Sequence, residues 1–252
     1  MARAAIPGRL TWRVATVAEI RDETATARTL ALDIPGWPGH LPGQHLNVRL
    51  TAPDGYQAQR DYSIGSAWPA PSPDPASGPD FGSGSGSGSG FVELTVQRVD
   101  DGEVSDYLTT GVAPGDQLEL RGPIGGWFVW RPASTAPVLL VAGGSGMVPL
   151  MSMIRARRRQ PFRLIYSART PEDVLYRTEL ARQKPGLDIH YVYTRVPPAR
   201  RISVATLNTH GWPPDFEPDC FVCGPTGFVE AAADMLVALG HDPRRVKTER
   251  FG

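Results

Sequence analysis

The first half of the chain alternates apolar and polar residues in short runs. The runs HLNVRL, FVELTVQRV and DQLELRG show this alternation, and Pro-Gly pairs at 42–43 and 114–115 separate the strand-like segments. A period of two is typical of half-buried antiparallel strands, and Pro-Gly pairs mark turns. Several short strands at this spacing, between residues 10 and 130, predict an antiparallel barrel or sandwich.

From about residue 136 the pattern changes to continuous apolar runs that alternate with helical periodicity. PVLLVAGG has the composition of a strand buried on both faces, and the following MVPLMSMIRARRR places apolar residues at helical spacing. FRLIYSA, DIHYVYT and CFVCG predict further strands, and FVEAAADMLVAL predicts a helix. TPEDVLY predicts another helix, which begins at Thr170 with a cap, a proline and two acids. Strands that alternate with helices predict a doubly wound parallel sheet.

The change of pattern places a domain boundary at residues 131–136. We therefore expect an N-terminal domain of residues 1–132 and a C-terminal domain of residues 136–252. One segment, residues 69–90 (PAPSPDPASGPDFGSGSGSGSG), has almost no apolar side chains to bury. Burial cannot offset its ordering entropy, so we predict a flexible loop between two strands of the first domain.

Composition excludes several classes of function. Lys plus Arg and Asp plus Glu both number 26, and this balance argues against a general binder of nucleic acid or membrane surfaces. The sequence contains no run of 18 apolar residues and no apolar leader. Two cysteines make no disulfide framework and cannot hold a cluster that needs four thiolates, so we expect a cytoplasmic setting. The five histidines lack metal-ligand spacing, and we expect no metal site.

The basic run RARRRQ, residues 155–160, is expected to be the exposed end of a helix, where positive charge is favourable. Contact with an acidic electron carrier is the alternative.

A glycine-rich stretch, VAGGSGMVPLM, follows the first strand of the second domain and opens a helix. Gly144 and Gly146 would let the backbone approach a pyrophosphate at the helix N-terminus, although a tight turn without a ligand has the same sequence features. Pro149 stands where the dinucleotide fingerprint has its third glycine, and the acid expected about 20 residues on is missing. Ser167 and Arg169 at the end of the next strand suit a 2′-phosphate, which slightly favours NADPH over NADH. A solvated Arg169 is the alternative.

Two stretches of the first half bring together groups that could bind a second nucleotide. QRDYSIGSA places Arg60, Tyr62 and Ser63 on one strand: a guanidinium for phosphate, a ring for stacking and a hydroxyl for hydrogen bonding. An ordinary edge strand is the alternative. DGEVSDYL places Ser105 as a candidate N-cap of a short helix, and a helix N-terminus is a potential phosphate site.

These motifs together resemble the flavin-dependent ferredoxin–NADP reductase superfamily, in family order over residues 10–252. The segments that carry the resemblance are Arg60-Asp61-Tyr62-Ser63, Gly102 to Ser105, Gly122-Pro123-Ile124-Gly125, Gly144-x-Gly146-x-x-Pro149, Cys223-Gly224-Pro225 and Glu249-Arg250-Phe251-Gly252. The resemblance implies an N-terminal antiparallel β-barrel domain that binds FAD. It also implies a C-terminal α/β domain, with a doubly wound parallel sheet, that binds NAD(P)H.

The resemblance also implies roles for single residues. In the FAD domain, Arg60 would pair with a phosphate, Tyr62 would pack on the isoalloxazine, and Ser63 would hydrogen-bond near flavin N5. Backbone N–H groups around Val104 and Ser105 would hold the pyrophosphate. In the second domain the implied cofactor-binding residues are Gly144, Gly146, Met147, Ser167, Arg169, Gly224 and Pro225, with Cys223 beside the nicotinamide and Glu249 and Phe251 close to the flavin. Ser63, Cys223 and Glu249 are the expected catalytic residues.

The resemblance implies hydride transfer from NAD(P)H to FAD, followed by release of single electrons. Many related reductases carry a [2Fe–2S] domain, but this sequence lacks the cysteines. We therefore expect a separate acceptor protein, a ferredoxin or an oxygenase-type partner, and a monomeric reductase. The alternatives are a free-flavin or ferric reductase and a non-catalytic FAD-binding electron-transfer subunit.

The Cys220-x-x-Cys223 spacing raises the possibility of a redox dithiol. A redox pair of this spacing normally opens a helix, whereas here the segment continues a strand. We expect the strand to carry Cys220 into the core as a small hydrophobic residue. Cys223 is expected at the carboxyl end of the strand, where open α/β sheets bind ligands.

Overall fold

The computed structural model describes residues 10–52, 54–68, 89–182 and 185–251, and within these ranges eleven strands form two sheets. The first sheet contains β1 (Arg13–Thr24), β2 (Ala27–Pro35), β3 (His45–Thr51), β4 (Gln57–Ser63), β5 (Ser89–Gln97) and β6 (Gln117–Ile124). The second contains β7 (Val138–Gly143), β8 (Phe162–Ala168), β9 (Leu187–Tyr193), β10 (Asp219–Pro225) and β11 (Val246–Phe251). The α-helices are α1 (Glu103–Asp106), α2 (Met147–Ala156), α3 (Arg177–Ala181), α4 (Val204–His210) and α5 (Thr226–Ala238).

The first sheet is an antiparallel barrel. Its strand order is β4-β3-β6-β1-β2-β5, and an antiparallel bridge between Ile64, directly after β4, and Leu94 of β5 joins the two edges. The bridge brings the two edge strands of the sheet together, as in a closed barrel. Leu30, Leu46 and Leu120 are fully buried in its core, as the alternating pattern requires. The prediction of an antiparallel β-barrel is confirmed.

The second sheet is parallel, with the order β11-β10-β7-β8-β9. All six residues of β7 are buried, as the continuous apolar run predicted. From β7 the chain moves outward to β8 and β9, then returns to the other side of β7 with β10 and β11. The order therefore reverses between β7 and β10, and the crevice at their carboxyl ends is where open α/β sheets bind ligands.

Two local predictions about helix starts are wrong. Gly102, and not Ser105, is the N-cap of α1. Ser105 lies inside the helix, where its hydroxyl donates to the Gly102 carbonyl at 3.1 Å. Thr170 does form a capping box with Asp173, but the turn that it caps is a short 3-10 turn and not an α-helix. The next α-helix, α3, begins only at Arg177.

Two predictions about exposed segments also need correction. Of the loop predicted over residues 69–90, residues 69–88 lie outside the described part of the chain, whereas 89 and 90 pair with β2 as the first residues of β5. The basic run at residues 155–160 is not an exposed helix end. Helix α2 ends at Ala156, and the side chain of its preceding residue, Arg155, is 16% exposed because it is bound by carboxylates.

The two sheets meet in one shared hydrophobic cluster, in addition to the separate core inside the barrel. Ala27 of β2, together with Phe128 and Trp130 from the segment after β6, packs in the same buried cluster as β7, β8 and α2. A hydrogen bond from Gly43 N–H to Ser152 Oγ, at 2.9 Å, ties the loop before β3 to α2. Helix α2 is therefore one of the elements of the second half that contact the barrel. Among the described residues, no helix is both long and apolar enough to cross a membrane.

Candidate functional site

The strand ends at the reversal point are in backbone contact. A methyl group added at Gly146 would lie 2.1 Å from the Cys223 carbonyl oxygen and 2.7 Å from the Gly224 nitrogen. Such a distance excludes any side chain, so the glycine is what allows the loop after β7 to touch the end of β10. Gly144, with φ of +55°, has no atom within 4 Å of the position of a Cβ. The loop is thus closed on the side of β10 and open at Gly144.

The residues around this loop divide into buried and exposed groups. Met147, which starts α2, is fully buried, and Ser167 at the end of β8 is 9% exposed. Arg169 follows β8 with an exposed side chain, and its carbonyl accepts the backbone N–H of Arg195 at 2.9 Å. Pro225 is exposed at the end of β10. Ser167 and Arg169 therefore lie at the carboxyl edge of the sheet, one strand away from the glycine loop.

Strand β4 carries the three residues of the predicted flavin motif. The Tyr62 ring is half-buried against the barrel core, and burial raises the pKa of its hydroxyl to about 12. Arg60 is exposed, and among the described residues its guanidinium donates one hydrogen bond, to the Gln59 carbonyl at 2.8 Å. The strand thus presents a neutral ring and a solvent-facing cation two residues apart.

The three predicted catalytic residues lie together although they come from distant parts of the chain. Ser63 Oγ donates to Glu249 Oε1 at 3.2 Å across 186 positions of sequence. In the register of β10 and β11, Cys223 lies beside Glu249, and Pro225 lies beside Phe251. The end of β11 therefore lies between the flavin strand of the barrel and the strand end at the reversal point.

The electrostatics of this junction favour neutral groups. Burial raises the pKa of Glu249 to about 7, and the negative charge of Asp61 adds to the shift while the Ser63 hydrogen bond opposes it. Burial, followed by the charge of Glu249, raises the pKa of Cys223 well above its ordinary value. Near neutral pH the cysteine is a thiol and the carboxyl group exchanges its proton readily.

The segment around Val104 and Ser105 lies on the barrel and is well packed. Both side chains are buried, and Ser105 Oγ accepts the Val99 backbone N–H at 3.1 Å. Residues 107–111 continue α1 as a π-helical turn. The side chains are thus used for local structure, so any ligand here would meet the backbone at the start of α1.

Two neighbours of the junction were not singled out from the sequence. His45 is the cross-strand partner of Ser63 on β3, and Asp61 precedes Ser63 by two residues on the same face of β4. Burial lowers the pKa of His45, and Asp61 opposes that shift. Asp61 stood inside the quoted motif and could have been found by its spacing from Ser63. His45 could not, because only the strand pairing brings it there.

The two cysteines lie on opposite faces of the parallel sheet. Cys220 packs among Leu139, Val222 and the helix α5, whereas Cys223 packs in the cluster shared with the barrel. Both are free thiols and both are buried. Cys220 lies in the core and Cys223 lies near the carboxyl end of β10, as expected from the sequence.

Two family models for oxidoreductase domains match the chain. Residues 83–129 match the family model for the oxidoreductase FAD-binding domain, and residues 140–234 match the model for the oxidoreductase NAD-binding domain. Ferredoxin–NADP reductase B of Sorangium cellulosum is 33% identical over 226 residues, which are 83% of this chain and 84% of that relative. The chain belongs to the ferredoxin–NADP reductase family. The FAD-binding match lies in the first half of the chain and the NAD-binding match lies in the second half, as the motifs predicted.

Other relatives of the chain are longer proteins. The glycine betaine monooxygenase reductase subunit of Chromohalobacter salexigens is 30% identical over 84% of the chain, but the match covers 56% of that relative. The NADPH oxidoreductase of Mycobacterium tuberculosis is 31% identical over 92% of the chain and 58% of its own length. The chain thus spans little more than half the length of these curated relatives.

Solved structures show the same fold. The FAD/NAD-binding domain of the nitric oxide dioxygenase from Vibrio cholerae superposes with a TM-score of 0.79 at 23% identity, covering 95% of this chain and 98% of that domain. A ferredoxin NADP+ reductase from Neisseria gonorrhoeae with bound FAD and NADP gives 0.73 at 19% identity, over 95% and 98%.

Proposed function

We propose that this protein takes a hydride from NAD(P)H onto FAD and passes the electrons singly to a separate protein acceptor of the ferredoxin or oxygenase type. The observation that carries the proposal is the Ser63–Glu249 hydrogen bond, with Cys223 beside Glu249. This contact joins the strand of the flavin motif to the strand end beside the glycine loop. A site of this kind faces both nucleotides at once.

The residues present fit both cofactors. For NAD(P)H, the open space at Gly144 and the backbone contact at Gly146 leave a loop that a phosphate can approach closely. For FAD, the exposed guanidinium of Arg60 suits a phosphate, and the half-buried Tyr62 ring suits the flavin. The 38% exposed Phe251 supplies a second aromatic surface at the end of β11. We further propose that residues 1–132 bind FAD and residues 136–252 bind NAD(P)H.

When bound, FAD supplies a centre that accepts two electrons as a hydride and releases them one at a time. The chain itself supplies orientation and proton control. Ser63 is placed to donate a hydrogen bond to the flavin or to Glu249. Glu249, with its pKa of about 7, holds a proton on a carboxyl oxygen below neutrality and releases it above. The buried Cys223 thiol would lie beside a bound nicotinamide as a small neutral group that adds no charge.

The names of several relatives support a separate acceptor. They include the reductase component of a propane 2-monooxygenase from Rhodococcus jostii and a ferredoxin–NAD(P)(+) reductase component of a naphthalene dioxygenase system from Pseudomonas putida. A monomeric, cytoplasmic reductase that delivers electrons to such a partner is the form that we propose for this chain.

Anaerobic titration of the flavin-loaded protein tests the proposal. NADPH or NADH should bleach the flavin absorbance stoichiometrically, and an added ferredoxin should then be reduced. Failure of both nucleotides to bleach bound flavin would favour a non-catalytic subunit. Fast turnover with free flavin or ferric chelates, and none with any protein carrier, would favour the alternative reductase.

The choice of nucleotide is tested at the end of β8. If Arg169 binds the 2′-phosphate, Arg169→Ala should raise the KM for NADPH by about tenfold or more, since hydrogen bonds to charged groups contribute about 1.5–3 kcal/mol. The KM for NADH should stay unchanged. An equal effect on both nucleotides, or a clear preference of the native protein for NADH, would contradict this assignment.

A further inference from the structure

The backbone that follows β4 is bonded to one side chain from the second half of the chain and lies close to another. Gly65, two residues after Ser63, accepts a hydrogen bond from Arg155 Nη1 on its carbonyl at 2.9 Å. Its own N–H donates to the Glu93 carbonyl at 2.8 Å. A methyl group at this position would lie 2.8 Å from the Tyr176 hydroxyl. Both backbone groups of Gly65 are therefore hydrogen-bonded, and its Cα lies close to the Tyr176 hydroxyl.

Tyr176 belongs to a closed hydrogen-bond network with three residues of the barrel. Its hydroxyl donates to Thr95 Oγ1 at 2.5 Å, and Thr95 and Thr29 hydroxyls are 2.6 Å apart. Thr29 donates to Glu23 Oε1 at 2.7 Å, and the other carboxylate oxygen of Glu23 accepts the Tyr176 backbone N–H at 2.9 Å. Since each hydroxyl has one proton, Thr95 must donate to Thr29. The network therefore runs in one direction from Tyr176 to Glu23.

The backbone of Tyr176 is in an uncommon conformation. Its φ of +56° lies in the left-handed region, which a bulky residue rarely adopts. Such a conformation persists only where the surroundings determine it. Here both the backbone N–H and the hydroxyl are bound by the barrel, and the side chain is 3% exposed. The barrel thus determines the conformation of the loop that follows β8.

Ion pairs of Arg155 reinforce the same contact. Its Nη1 lies 2.6 Å from Glu93 of β5, its Nη2 lies 2.7 Å from Glu179 of α3, and its guanidinium lies 5.0 Å from the centre of the Tyr176 ring. Arg21 of β1 also binds Glu93. Burial alone would raise the pKa of Glu93, but Arg155 and Arg21 overcome this and lower it. The carboxylate is therefore charged and paired throughout the neutral range.

The position of Arg155 on α2 connects this contact to the nucleotide loop. Helix α2 begins at Met147, directly after Gly144–Gly146, and Arg155 lies in its last turn. A helix of ten residues is a rigid rod of about 15 Å. One end of the rod is thus the glycine loop, and the other is bonded to the carbonyl of Gly65 beside Ser63.

We propose that Arg155 and Tyr176 are positioning residues for hydride transfer. By binding Gly65 and the barrel network, they set the distance between the glycine loop and the strand that carries Ser63. The proposal rests on the proposed function, because it concerns the approach of one nucleotide to the other. Neither residue is expected to touch a cofactor, so nucleotide affinity should not depend on them.

Conservative variants of the full-length, flavin-loaded protein test the proposal. Tyr176→Phe removes only the hydroxyl, and Arg155→Lys keeps the charge but loses the planar fork that reaches three partners. Stopped-flow reduction by NADPH should slow about ten- to hundredfold in both variants, because small misplacements of reacting groups reduce rates by such factors. The dissociation constant for NADPH should change less than about threefold. Tyr191→Phe, on β9 of the parallel sheet, is the matched control because it removes a tyrosine hydroxyl elsewhere in the second half. Its flavin should be reduced at the native rate.

A second measurement does not depend on activity. Hydrogen exchange at residues 64–66 should be faster in both variants than in the native protein and in Tyr191→Phe. Native reduction rates together with native exchange in both variants would overturn the inference. So would equal changes in rate and affinity, or loss of flavin in both variants, since these indicate a merely structural role. If NADPH and NADH fail to reduce the native flavin, the proposed function fails, and exchange then decides only whether the contact holds the strand.

Discussion

A single methyl group at Gly146 should separate the glycine loop from the end of β10. In Gly146→Ala the new Cβ would lie 2.1 Å from the Cys223 carbonyl oxygen and 2.4 Å from its carbonyl carbon. Both obstructing atoms are backbone of a buried central strand, so no side-chain rotation can relieve the contact. Relief requires movement of α2 or β10 by more than an ångström. Overpacking of a dense core costs about 1–3 kcal/mol, and a backbone clash belongs at the upper end of that range.

The expected loss of about 3 kcal/mol translates into a measurable change in thermal stability. For a chain of this size each kcal/mol shifts Tm by roughly 2–4 °C, so Tm should fall by roughly 6–12 °C. Nucleotide binding should weaken as well, because the displaced loop no longer presents its N–H groups together. Flavin content should stay native, since the predicted flavin residues lie mainly on the barrel. Scanning calorimetry and nucleotide titration of the flavin-loaded variant measure these effects.

Gly227→Ala is the matched control. Gly227 lies in α5, has ordinary backbone angles and has no atom within 4 Å of the position of a Cβ. Alanine should stabilise the helix there by about 0.5–1 kcal/mol. If Gly146→Ala has the same Tm and nucleotide affinity as Gly227→Ala, the backbone contact at the reversal point does not exist as described.

Two further predictions concern the junction of the domains. Because Glu249 has a folded-state pKa of about 7, raised from 4.5, the native state holds its proton more tightly than the unfolded chain. The free energy of unfolding should therefore decrease as pH rises from 4.5 through 7, and this decrease should be smaller in Glu249→Gln. Urea denaturation at acidic and basic pH measures the free energy of unfolding of both proteins. If the variant has the same pH dependence as the native protein, the assignment of the raised pKa to Glu249 is wrong. Cys223→Ala should slow flavin reduction by NADPH, whereas Cys220→Ala should leave the rate unchanged and cost about 1–2 kcal/mol of stability by leaving a small cavity. Loss of turnover in both variants, in step with loss of a disulfide, would show that the cysteines act as a pair.

Local patterns were sufficient to predict most strands and the order of the motifs. The apolar run at β7 predicted a fully buried strand, and all six of its residues are buried. The alternating run HLNVRL predicted a half-buried strand, and in β3 Leu46 and Val48 are buried while their neighbours in sequence are partly exposed. These predictions succeeded because period, turn residues and backbone constraints are properties of neighbouring residues.

Contacts between distant segments could not be predicted in this way. The Ser63–Glu249 hydrogen bond depends on the docking of β11 against the end of β4. The left-handed conformation of Tyr176 is determined by barrel residues and not by its own neighbours. Arg155 stood in a run of arginines that resembled a solvated helix end, and only the carboxylates of Glu93 and Glu179 distinguish it from the others. Tertiary partners overrode local preference at each of these positions.

The cluster that both sheets share means that the two halves cannot be exchanged as independent modules at the predicted boundary. Phe128 packs edge-on against Phe221 at 5.5 Å, and Trp130 packs edge-on against Phe162 at 5.1 Å. Both rings precede the boundary predicted at residues 131–136, yet both pack in the cluster that covers the parallel sheet. A chimera that joins the second half of this chain to a foreign barrel would therefore need to keep this chain's own residues from Phe128 onward. A chimera joined after Trp130 would lack Phe128 and Trp130 and would have the foreign barrel's side chains at these two positions of the cluster.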